Sequence, residues 1–120
     1  MVNKSELSSA ALAYLGDSVI ELCVREYLVN SGISDSKTLN IKALGYVRAE
    51  AQAQAMKKIR SLLDDEEAAV FRRGRNIGHT NTPKNATAGQ YREATGMEAL
   101  FGYLHLTGRK ERIAFLFESA

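Results

Sequence analysis

The chain has 120 residues, 45% of them apolar and 25% charged, with a formal net charge of +2. That length suits one domain over residues 1–120, burying roughly two-thirds of the surface its unfolded chain exposes. The charge is too small to argue by itself for a nucleic-acid partner. A lone cysteine, Cys23, excludes an intrachain disulfide and suits a reducing compartment. No signal peptide and no apolar run of bilayer-spanning length is visible, so the expectation is a cytoplasmic protein with no membrane partner.

One proline and many Ala, Leu, Glu, Lys and Arg residues favour helices over strands. Ser5 or Ser8 is placed to cap a first helix from about Ser8 to about Val29. Leu12, Leu15, Val19, Ile20, Leu22, Cys23, Val24, Tyr27 and Leu28 fill a very wide apolar arc on it. Gly32 then offers a left-handed turn. Asp35 or Ser36 caps a second helical region from Lys37 to about Leu63, which Gly45 is placed to split. Asp64 to Glu67 fits the first turn of a third helix, where acidic groups meet the positive end of the dipole. It carries Ala68, Ala69, Val70 and Phe71 and ends in the basic run 72–76.

Residues 77–86 hold Gly78, Asn81, Pro83 and Asn85 and read as a long polar loop. A long helix follows from about Thr87 to Leu106, with Met97, Leu100, Phe101 and Leu104 as its buried stripe. Thr107-Gly108 ends it, and Arg109 to Glu118 forms the last helix. No stretch alternates as a strand does. The expected fold class is all-α.

Two carboxylates stand at the margins of core helices. Asp17 shares a face with Ala10, Ala13 and Glu21; Glu98 has the small residues Thr95 and Gly102 on its side. An interior helical glycine costs about 1 kcal/mol relative to alanine, so Gly102 is expected to let another backbone or a ligand come close. A carboxylate at a core margin needs a partner, such as a metal or a hydrogen-bond donor. Oxygen ligands of this kind suit Mg²⁺ or Mn²⁺. Spacing leaves two readings open: one shared site, or two separate surface residues.

Tyr14-Leu-Gly-Asp-Ser-Val-Ile20 is similar to the catalytic motif of the ribonuclease III family, and Glu98-Ala-Leu-Phe-Gly-Tyr-Leu104 resembles that family's second motif. Arg73-Gly-Arg-Asn76, Thr82-Pro-Lys-Asn85 and Tyr91-Arg92 look like its short Mini-ribonuclease III branch, which has no appended double-stranded-RNA-binding domain. The resemblance covers nearly the whole chain. It implies a helical ribonuclease III-like homodimer with Asp17 and Glu98 as catalytic, metal-binding residues, and Mg²⁺ as the cofactor, with Mn²⁺ a plausible substitute. It also implies double-stranded RNA as substrate, 5′-phosphate and 3′-hydroxyl products, and a part in maturing bacterial 23S ribosomal RNA. Larger members carry acidic residues where this chain has Ala10, Ala13 and Thr95, a departure the short branch shares. Thr95 and Glu21 are candidates for supporting the metal site from outside, although Glu21 better suits an i,i+4 ion pair with Arg25.

Duplex RNA is read mainly through phosphates and 2′-hydroxyls. Arg72, Arg73, Arg75, Asn76, Lys84 and Asn85 offer such contacts, although basic residues also suit a helix C-terminus. Lys57, Lys58 and Arg60, like Arg109, Lys110 and Arg112, read as solvated faces, His79 as an ordinary loop residue, and His105 as a packing residue. The apolar arc of the first helix exceeds what one small core covers, which agrees with a dimer. The competing reading is a non-catalytic RNA-binding or ribosome-associated helical module of the same fold. A ribosomal-protein helper finds no signature in the chain.

Overall fold

The computed structural model describes residues 7–77 and 87–120. Among these residues there are six α-helices and no strand: α1 (Ser9–Asn30), α2 (Ser36–Val47), α3 (Ala49–Ile59), α4 (Asp65–Arg75), α5 (Ala88–Leu106) and α6 (Lys110–Ser119). A 3₁₀ turn at Arg60–Leu62 links α3 to α4. The candidate RNA contacts Lys84 and Asn85, together with His79, lie outside the described residues.

Four of the six described helices begin at a side-chain cap, and α3 and α6 begin without one. Ser8, Asp35, Asp64 and Thr87 each accept a hydrogen bond from a backbone N–H of the following turn. At Asp64 and Thr87 the bond is reciprocated, by Glu67 and Gln90, to give capping boxes. Gly32 and Gly108 take positive φ after α1 and α5, where a side chain would be strained.

The axis of the domain is α5. Ala94 to Met97, Ala99 to Gly102 and Leu104 are all buried, so the helix is covered nearly all round. It packs chiefly against α1 and also against α4 and α3. Ile20, Val24, Met56, Ile59, Phe71, Leu100, Phe101, Leu104 and Leu116 make the main core. Small residues set the helix spacing: a Cβ on Gly96 would lie 2.7 Å from the Phe71 ring, and one on Gly74 would lie 2.7 Å from Cβ of Ala99.

The arc of α1 is wider than the core covers, as its width implies, with Leu22 and Tyr27 more than half exposed. Three expectations change. The long second region breaks at Arg48, whose backbone is extended, and not at Gly45, which lies within α2. His105 is exposed and does not pack in the core. Arg112 is not a solvated residue. Its Nε donates to Glu67 Oε2 (2.8 Å), and its Nη2 donates to Glu67 Oε1 and to the Leu62 carbonyl (2.7 Å each). Glu67 itself is fully buried, so the acidic run hides a carboxylate that ties α6 to α4. Arg112's hydrogen bonds hold the Glu67 carboxyl below its usual range.

Candidate active site

The site begins with two glycines. A Cβ placed on Gly16 of α1 would overlap the carbonyl oxygen of Glu98 and lie 2.8 Å from the amide nitrogen of Gly102. A Cβ on Gly102 of α5 would overlap the carbonyl oxygen of Leu12 and lie 3.1 Å from the Gly16 nitrogen. The two helices therefore cross with backbone against backbone, which only glycine on both sides permits. Asp17 and Glu98 adjoin this crossing, and the close approach puts their carboxyl groups within hydrogen-bond reach of each other.

Their environments differ. Asp17 is exposed, whereas Glu98 is half-buried. Burial, then the negative charge of Asp17, then a hydrogen bond shared with Asp17 push the Glu98 carboxyl up to about 8. Near neutral pH the pair thus holds one proton and behaves as two like charges that cannot both ionise cheaply. A divalent cation relieves that conflict by replacing the proton. Among the described residues no third His, Cys, Asp or Glu joins them to complete a group of three. Two carboxylates nonetheless fit Mg²⁺, which keeps several waters and takes its remaining ligands from phosphate oxygens. Residues and ion therefore match in charge and donor type.

The other candidates fall into distinct places. Thr95 is buried, and its hydroxyl donates to the Tyr91 carbonyl (3.0 Å), leaving oxygen lone pairs as its unspent capacity. Glu21 accepts from Arg25 Nη2 at 2.8 Å, the i,i+4 pair. Arg72 and Arg73 are exposed on the last turn of α4, and Asn76 caps it. Arg75 turns inward over the Phe71 ring (5.8 Å to the centroid), with its Nη1 3.8 Å from Glu93. Gly16 was the residue that sequence reasoning missed. Its signal is a glycine in a helix interior directly before the candidate aspartate, paired with the interior Gly102 directly across.

Comparison with known proteins places this architecture. Residues 10–109 match the Ribonuclease III domain family. The chain is 43% identical over 115 residues to "Mini-ribonuclease 3" of Enterococcus faecalis, covering 94% of this chain and 87% of that one. It is 47% identical to the protein of that name from Desulfitobacterium hafniense, covering 94% and 71%. A crystal structure of a Fusobacterium nucleatum protein superimposes with a TM-score of 0.85 at 34% identity, covering 94% of this chain and 90% of that one. No described helix is long and apolar enough to cross a membrane. With the helical fold, the paired carboxylates and matches over nearly its whole length, this chain belongs to the ribonuclease III family of endoribonucleases.

Proposed function

We propose that this protein is a metal-dependent endoribonuclease that cuts double-stranded RNA, with Asp17 and Glu98 as the catalytic metal-binding carboxylates. The apposition of those two carboxyl groups at the Gly16–Gly102 crossing carries the reading. Mg²⁺, with Mn²⁺ able to substitute, is the cofactor the pair fits. When bound, such an ion supplies charge neutralisation at the phosphate and a water of lowered pKa. Glu98 gives up its proton as the site is loaded, and Asp17, the exposed member, faces incoming RNA. Thr95, its hydroxyl proton already committed to Tyr91, can only accept a further hydrogen bond, which suits orienting a site water. Glu21, paired with Arg25, adds negative charge one turn from Asp17, which favours a cation at the site and not Asp17 itself. Hydrolysis on the 3′-oxygen side of the phosphate leaves 5′-phosphate and 3′-hydroxyl ends.

Arg72, Arg73, Arg75, Asn76, Lys84 and Asn85 are the candidate backbone contacts, and binding through phosphates makes affinity fall with salt. One site cuts one strand, so a two-fold homodimer matches the local symmetry of a duplex. Tyr14 supports this: it lies one turn before Asp17 and is 86% exposed, an aromatic ring left in water beside the site. We place it at the subunit contact. Stems of 23S ribosomal RNA in the cytoplasm are the proposed substrate.

The test is cleavage of such a stem with Mg²⁺ and with EDTA. Wild type cuts only with the metal, and Asp17→Asn abolishes cutting while the helical signal and melting temperature persist. Undiminished cutting by Asp17→Asn refutes the assignment. Binding by wild type without cutting under any metal favours the non-catalytic module.

A further inference from the structure

Away from the carboxylate pair, two guanidinium groups share one aromatic face. Arg60, on the 3₁₀ turn, lies 5.1 Å from the Phe71 ring centroid, and Arg75, on the last turn of α4, lies 5.8 Å from it. Like charges so close need a reason to stay together. The ring offers a weak cation–π attraction, and Glu93 of α5 offers a carboxylate between them. Its Oε1 is 3.6 Å from Arg60 Nη1 and 3.8 Å from Arg75 Nη1.

Those distances are too long for hydrogen bonds, which between such ions close to about 2.7–2.9 Å. The same protein shows what a closed pair looks like: Arg112 grips both oxygens of Glu67 at 2.7 and 2.8 Å. Neither Arg60 nor Arg75 makes any hydrogen bond among the described residues, and Glu93 Oε2 is a buried oxygen without a hydrogen-bond partner among them. The arginines are thus held in place with their fork donors unspent. Their side chains are 48% and 32% exposed, and the cluster carries one net positive charge. Planar forks with free donors match the oxygens of a phosphodiester. On α5, Glu93 stands about 7.5 Å along the axis and about 140° around it from Glu98, so the cluster offers a contact on a different face of α5 from the carboxylate pair.

We propose that Arg60 and Arg75, gathered on Phe71 by Glu93, form a two-guanidinium clamp on a backbone phosphate of the bound duplex RNA. This rests on the duplex-RNA reading above and adds Arg60 to the contact surface. The probe is a fluorescent RNA stem bound in EDTA, so that nothing is cut, across a series of salt concentrations. Arg60→Gln and Arg75→Gln each weaken binding roughly tenfold, and together they lower the steepness of the log affinity–log salt plot by about 0.9, the share of one phosphate. The double variant loses less than the product of the two single losses, because both groups hold one phosphate. Arg60→Lys keeps the wild-type steepness, since it keeps the charge, while binding less tightly. Melting curves separate a folding effect from a contact. Variants with lower melting temperature but wild-type affinity and steepness overturn the clamp, as do variants unchanged in both. Wild type that fails to bind the stem overturns the duplex-RNA reading and the clamp with it.

Discussion

Gly16→Ala is the sharpest single perturbation of this fold. The added methyl falls on the Glu98 carbonyl oxygen and within 2.8 Å of the Gly102 nitrogen. Both are backbone atoms, so no rotamer change relieves the overlap. Carbon rests at about 3.5 Å from such neighbours, which requires α1 and α5 to part by roughly 1 Å or more. Overpacking of this kind costs about 3 kcal/mol. At roughly 4 °C per kcal/mol for a domain of this size, the melting temperature falls by roughly 10 °C. The same separation acts on the carboxylates beside the crossing, where a displacement of about 1 Å is enough to slow catalysis roughly a hundredfold. Thermal unfolding and single-turnover cleavage, measured well below the variant's melting point, read the two effects. Gly45→Ala is the control: it is also helical, but a Cβ there meets nothing within 4 Å. It should stabilise slightly and leave cleavage unchanged. A Gly16→Ala protein with wild-type melting and rate would refute the backbone contact on which the site is built.

Arg112→Met leaves the buried Glu67 carboxylate without its partner; unfolding free energy should drop by about 3 kcal/mol, checked by urea denaturation at pH 7. Metal-free stability should fall as pH rises from about 4.5 to about 8 and then level off. The folded chain keeps on Glu98 a proton that the unfolded chain has already lost in that window. Glu98→Gln removes this slope, which denaturation at several pH values detects. Tyr14→Ser, which removes the exposed ring, should shift a dimer toward monomer in sedimentation while leaving the melting of the monomer near wild type.

Four of the described helices are readable because each carries its own local signals. Ser8, Asp35, Asp64 and Thr87 are cap residues ahead of apolar periodicity, and the observed starts follow each by one residue. The break at Arg48 was not readable, since nothing in that residue demands an extended backbone. It arises because α2 lies on α1, whereas α3 turns to bury Gln52, Ala53, Met56 and Ile59. Glu67 was hidden for a similar reason. Its partner is 45 residues away, and an acidic run looks solvated until Arg112 reaches into it. At the site, the two edge carboxylates and Gly102 stood out in the sequence. Gly16 acquires its meaning only from the helix that crosses it. Arg60 read as part of a solvated basic face because neither Phe71 nor Glu93 is near it in sequence.

Calorimetric titration of the metal-free protein with Mn²⁺ at pH 7, in buffers of different ionisation heat, tests the metal pair most directly. Loading the Asp17–Glu98 pair should expel close to one proton per ion, since Glu98 holds its proton up to about pH 8, and Glu98→Gln should bind weakly with no proton release. Binding without proton release in the wild type, or equal binding by Glu98→Gln, would contradict the account.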